Sequence, residues 1–216
     1  MLIDNTDKIR QFLTTELTEE CENKEFYKFD VMVRKKDDSE SIFMKHHKGS
    51  FLLHSWLVSS VEQYDKYIEE MKELCNVTNA RLYMTLDRKS TQSMVVHLAD
   101  SAQDLLKSLI RKNIVSTKNV FNLMNSLTSK NELSVHRSRK LLFDIDVNDT
   151  NVLSTVINSL YLPEVGHLYI LKSPNGWHVI SDRFNKDLIP QELKQDENID
   201  IKENALTIVY YNKEEV

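Results

Sequence analysis

Glycine and proline are scarce in this chain, at three residues each out of 216. With glycine only at positions 49, 166 and 176, no segment supplies G-x-G-x-x-G or G-x-x-x-x-G-K-[ST]. Rossmann dinucleotide binding and P-loop NTPase chemistry, which need glycine for close phosphate approach, are therefore excluded. Cys21 and Cys75 are the two cysteines, which rules out a disulfide framework and a four-cysteine zinc module. No G-x-S-x-G is present, so a serine hydrolase of that type has no support. No run of about 18 apolar residues occurs, and no membrane helix is expected. The opening segment is acidic and amphipathic rather than charged-then-apolar. With two lone thiols, this leads us to expect a cytoplasmic protein.

What is present is a globular composition, with 41% hydrophobic and 28% charged residues. The formal net charge is −5, from 28 basic and 33 acidic side chains. Its distribution is uneven. From Arg81 to Lys140 there are 11 basic and 4 acidic residues, a balance of +7, which leaves −12 for the remainder. Such asymmetry suits either a polyanion-facing strip on an acidic body or a solvated face.

No repeat, low-complexity tract or flexible linker divides the chain. We read a single compact unit over 1–216, with two lobes divided as 1–137 and 138–216. Helical spacing of Ile9, Phe12, Leu13 and Leu17 predicts an opening helix within 3–24. Phe26–Arg34 and Ser41–His47 read as a hairpin around the polar turn 35–39, and Phe51–Val58 as a third strand. Ser59 or Ser60 caps a helix whose apolar stripe is Tyr64, Tyr67, Ile68, Met71 and Leu74. Arg81–Leu86 is a predicted strand and Asp100–Ile110 a helix, with a short helix around Val120–Leu127. Lys140–Val147, His167–Lys172, Trp177–Ser181 and Ala205–Tyr211 read as strands. Thr150–Leu160 and Asp187–Lys194 read as helices. The interleaving predicts an α+β fold with an N-terminal α/β lobe.

Two segments could carry chemistry. In Leu141-Leu142-Phe143-Asp144-Ile145-Asp146, strand alternation puts both carboxylates on one face. Like charges so close are unfavourable without a cation, and carboxylates suit Mg²⁺ or Mn²⁺. A strand running into an Asx-rich turn is the alternative, because Asn148 and Asp149 follow. In Ser173-Pro174-Asn175-Gly176-Trp177-His178, a tight turn leads into a strand with His178 near its start. Asn-Gly suggests positive φ there. That histidine and the turn amides could hold a phosphate, or the ring could merely pack.

In this order and at this spacing, 34 residues from Asp144 to His178, the two segments resemble the archaeo-eukaryotic primase (primase-polymerase) superfamily. Leu141–Val147 is similar to its h-h-h-D-h-D-h motif. Ser173–Ile180 is similar to its small-residue turn ending in s-x-H and a strand, although Pro-Asn-Gly and Trp177 depart from a glycine-rich loop. Ile199-Asp200 is the best match to the third motif, an acidic residue after an apolar one. The likeness covers about the last 75 residues and suits a small, phage-type member. It implies an RRM-like, primase-type mixed sheet core flanked by helices. By position it implies Asp144, Asp146 and Asp200 as catalytic metal ligands for Mg²⁺ or Mn²⁺, and His178 as a phosphate contact, with Ser173 in the motif's turn.

Basic residues would complete such a site. Lys172 and Arg139 are candidate triphosphate contacts. Arg137, Lys140, Arg88 and Lys89 are candidate nucleic-acid contacts, or else solubilise strand ends. The leading expectation is a metal-dependent nucleotidyltransferase with nucleoside triphosphates and nucleic acid as partners. The alternatives are a non-catalytic regulator on the same scaffold, binding nucleic acid or a protein partner, and a metal-dependent phosphodiesterase. A zinc site at His46, His47 and His54 is disfavoured, because adjacent strand residues point to opposite faces.

Overall fold

The computed structural model describes residues 1–21, 24–37, 42–45, 49–112, 128–161 and 165–213, and among those residues helices and two antiparallel sheets form a mixed α+β fold. The first sheet contains β1 (Leu2–Asp4), β2 (Glu25–Arg34), β3 (Ser50–Val58), β4 (Arg81–Thr85) and β10 (Leu206–Asn212) in the order β1-β10-β4-β2-β3. A two-residue β5 (Lys89–Ser90) is added on β2. The second contains β6 (Lys140–Ile145), β7 (Leu168–Lys172), β8 (Trp177–Asp182) and β9 (Ile199–Glu203) in the order β7-β8-β6-β9. The helices are α1 (Thr6–Glu16), α2 (Val61–Thr78), α3 (Thr91–Lys112), α4 (Thr150–Tyr161) and α5 (Gln191–Gln195).

Local chemistry explains several element ends. The Ser60 hydroxyl accepts the Gln63 amide at 3.2 Å and starts α2, satisfying one orphan donor of the first turn. Asn79, at φ 49°, ends the same helix in the left-handed region that asparagine tolerates. Asp149 accepts the Asn151 amide at 2.8 Å at the start of α4. Gly176 does not take positive φ. Its missing side chain serves close approach instead, because a Cβ there would collide with the carbonyl oxygens of Ile145 and Val147.

Several expected elements differ. The opening helix is confined to 6–16, because Leu2–Asp4 pairs with β10 from the other end of the chain. The strand expected over Ser41–His47 is, where described, a short 3-10 turn at Ile42–Met44, and β3 is the partner of β2. The helix expected from Asp100 begins already at Thr91. Ile199–Glu203 is a strand of its own. The helix expected around Val120–Leu127, and His46 and His47, lie outside the described residues.

Two large apolar clusters hold the sheets, and a smaller one joins Ile3, Tyr83, Ile208 and Tyr211 on the first sheet. Phe12, Tyr27, Phe29, Met71 and Leu82 of the first sheet and its helices pack in one cluster with Leu142, Leu171 and Ile180 of the second. The other face of the second sheet packs Phe143, Ile145 and Val179 against Val156 and Leu160 of α4 and Leu193 of α5. Buried Asn5 ties the sheets together. Its side-chain amide donates to the carbonyls of Lys172 (2.9 Å) and Ile208 (3.1 Å), and its oxygen accepts the Lys172 amide at 3.1 Å.

Candidate active site between the sheets

Strand alternation splits β6 into two sets. Leu141, Phe143 and Ile145 face α4, whereas Lys140, Leu142 and Asp144 face the other way. Register then brings three functional side chains into one row. Asp144 stands directly opposite His178 on β8 and directly opposite Asp200 on β9. The His178 ring is buried, with Nε2 3.2 Å from Asp144 Oδ1 and Nδ1 2.9 Å from the Thr207 hydroxyl of β10. It is thus fixed from both sheets.

Asp144 and Asp200 are like charges on directly paired residues, an arrangement that is destabilising by itself. Lys202 resolves it. Its Nζ lies 2.7 Å from Asp144 Oδ2 and 3.1 Å from Asp200 Oδ2. Burial disfavours ionisation of Asp144, but hydrogen bonds from His178 and Lys202 outweigh it and hold the pKa down at about 2. Asp146 follows the strand end, is exposed, and accepts a 3.3 Å hydrogen bond from the Asn175 amide.

A cleft of about 340 Å³ opens beside this row, lined by both sheets. Asp144, Asp146, His178, Lys202 and the 173–175 turn contribute from the second sheet, and Arg34, Lys36, Arg81 and Tyr83 from the first. Arg34 Nη1 donates to the Tyr83 hydroxyl at 3.0 Å. Arg81 is buried, pairs with Asp37 at 2.5 Å and stacks on Tyr211. Desolvation, with Arg34 and Arg81 close by, lowers the Lys36 pKa. One cavity therefore presents carboxylates from the second sheet together with Arg34, Lys36 and the Asp37-paired Arg81.

No family model, curated protein or solved structure matches this chain.

The remaining candidates from the sequence fall elsewhere. Ser173 lines the cleft, its hydroxyl accepting the Gly176 amide at 3.0 Å to close the turn. Lys172 pairs in register with Trp177, on the face opposite to His178, and its Nζ lies 3.2 Å from the indole centroid. It does not line the cleft. Neither does Arg139, which is half-buried with its charge acting on Asp87 and Glu203. Asp200 is 65% exposed and borders the site through Lys202 rather than lining the cavity.

The expected nucleic-acid track is corrected in part. Lys140, only 4% exposed, is clamped at 2.5 Å by both Glu16 and Asp182. Buried Arg88 bonds Glu25, the Glu16 carbonyl and Cys21. Buried Lys89 donates to the Lys130 carbonyl and the Ser134 hydroxyl, each at 3.0 Å. These three are internal ties because each strand end is covered by another segment. Arg137 is exposed, and also pairs with Glu25. Conversely, Arg34 and Lys36 were not singled out as site residues. For Arg34 a signal exists: Lys28, Asp30 and Arg34 lie on one face of the otherwise apolar β2, interrupted by Met32.

Carboxylate oxygens with open volume beside them suit a hard divalent cation. The Lys202 ammonium, held between Asp144 and Asp200, shows that this spot accepts positive charge. Among the described residues, no three acidic, imidazole or thiol groups form a ready cage. A thiol mechanism has no support at Cys75, which burial pushes up to about 12.

Proposed function

We propose that this protein is a metal-dependent nucleotidyltransferase of primase-polymerase type, joining nucleoside triphosphates to a nucleic-acid 3′ end or priming a new strand. The observation that carries this reading is the shared cleft, with Asp144, Asp146 and His178 together with Arg34, Lys36 and Arg81. Carboxylates attract a divalent cation and guanidinium groups attract phosphate, so a metal-bound polyphosphate satisfies both. Further support comes from connectivity. The second sheet runs β6-α4-β7-β8-α5-β9 with spatial order β7-β8-β6-β9, the pattern of a split β-α-β, RRM-like core.

Asp144 and Asp146 would hold Mg²⁺ or Mn²⁺, with Asp200 at the margin. When bound, the cation supplies charge neutralisation at the phosphoryl oxygens and activation of the attacking 3′-hydroxyl. The chain's own groups do the rest. Thr207 orients the His178 ring so that Nε2 meets Asp144 at the cleft. The 173–176 turn abuts the end of β6, which fixes Ser173 beside the acids. Arg34, Lys36 and Arg81 offset the phosphate charge from the other sheet.

Incorporation of labelled nucleotide on a primed template with Mn²⁺ is the direct assay. The double variant Asp144→Ala/Asp146→Ala should lose activity by at least about 10³-fold, the scale of removing a central electrostatic group. Equal incorporation by the variant would end the proposal. A second reading, a non-catalytic binder of nucleic acid, is favoured by one observation: Lys202 and His178 already engage both oxygens of Asp144. It expects salt-dependent single-strand binding that survives the double substitution, with no incorporation.

A further inference from the structure

Lys202 is not part of the resemblance in sequence, yet it makes the closest contact to the central carboxylate. Its side chain is 40% exposed and lines the cleft. Any cation approaching Asp144 from the cleft competes with this ammonium for Oδ2, while Oδ1 faces His178.

Resting on the proposed nucleotidyltransferase reading, we infer that Lys202 is an exchangeable counter-charge: it guards Asp144 and Asp200 until a metal-bound triphosphate arrives, then transfers its ammonium to a phosphate oxygen. The flexible four-carbon stem of lysine permits the swing without moving β9. Displacement by a bare metal ion is opposed, because the ammonium loses its closer partner, keeps only the exposed Asp200, and still faces Arg34 and Lys36 across the cleft. A triphosphate supplies a replacement acceptor and offsets Arg34 and Lys36 as well. Metal alone thus binds weakly, whereas the metal–triphosphate complex binds well. No bond is made or broken in the exchange; one hydrogen-bonded ion pair replaces another.

The test compares two affinities in wild type, Lys202→Met, Lys202→Arg and Asp144→Asn. Free Mn²⁺ is titrated by its paramagnetic resonance signal, and a preformed Mn²⁺ complex of a non-hydrolysable nucleoside triphosphate by calorimetry. Lys202→Met should bind bare Mn²⁺ about tenfold tighter and the complex about tenfold weaker, within the usual range for coupled sites. Lys202→Arg, which retains the counter-charge, should leave bare Mn²⁺ binding weak and guards against a folding artefact. A lysine that merely stabilises the fold would lower both affinities in Lys202→Met. Such a parallel loss, or unchanged affinities, overturns the inference while the parent reading stands, provided Asp144→Asn abolishes binding of the complex. If wild type binds neither species, or Asp144→Asn binds both normally, the parent reading fails and the inference with it.

Discussion

Asp144 has Asp200 directly opposite, His178 on its other flank and Lys202 diagonally across. These neighbours set its acid-base behaviour. Its folded pKa of about 2 lies below the ordinary 3.8. The ion pairs therefore stabilise the fold fully above the unfolded value, and the contribution is lost as pH falls through the folded one. Urea midpoints of wild type should drop between about pH 4 and pH 2 more steeply than those of Asp144→Asn, which cannot titrate at this position. Parallel profiles would show that Asp144 is not held by these partners. Above pH 4 the group is a carboxylate throughout, so a pH dependence of activity near neutrality arises elsewhere.

The D-x-D segment was legible at this scale because an apolar strand that ends in carboxylates has few ways to bury one face. The buried lysines were not. Lys89 and Lys140 sit on strands where charge ordinarily marks solvent, and their partners come from 41 and 124 positions away. Burial paired through such contacts leaves no local trace in the sequence.

Among elements, the β7–β8 hairpin is the one on which the site turns. Its Ser-Pro-Asn-Gly tip announced a turn correctly, but for a different physical reason from the one the dipeptide suggested. Gly176 is required by the carbonyls of Ile145 and Val147, not by a left-handed backbone. Gly176→Ala should therefore push the turn off the end of β6. The expected cost is about 1–3 kcal/mol of stability, with weaker triphosphate binding as Ser173 and His178 shift. Denaturant melts and calorimetry check both. Wild-type stability and affinity would show that the turn can move without consequence.

Other elements were hidden. Three-residue β1 carries no periodicity, and its partner is at the far end of the chain. Strand β9 alternates as Ile-Asp-Ile-Lys-Glu, but five residues beside an Asp-Glu-Asn stretch are too few to stand out as a strand. Its pairing with β6 is what lines Asp200 and Lys202 up with Asp144.

The whole molecule is held together by ties that cross the 137/138 division read from the sequence. β10 returns to the first sheet, and the apolar core runs through both. Lys140 links β6 to Glu16 of α1 and to Asp182 of β8. Lys140→Met leaves both carboxylates without their cation. It should cost about 3–5 kcal/mol, the usual penalty for breaking a buried pair. The same variant should leave the salt slope of single-strand binding unchanged, whereas loss of a phosphate contact would reduce that slope by about 1. A stable Lys140→Met protein with a reduced slope would return Lys140 to the nucleic-acid surface. No helix among the described residues is long and apolar enough to cross a membrane.

That Asp144, His178 and the arginines of the first sheet serve one metal-bound polyphosphate is tested most directly by a crystal structure grown with Mn²⁺ and a non-hydrolysable nucleoside triphosphate. Anomalous density beside Asp144 and Asp146, with phosphate oxygens within hydrogen-bond reach of His178 and Arg34, is the expected result. A nucleotide bound elsewhere, with Lys202 still bridging Asp144 and Asp200, would contradict it.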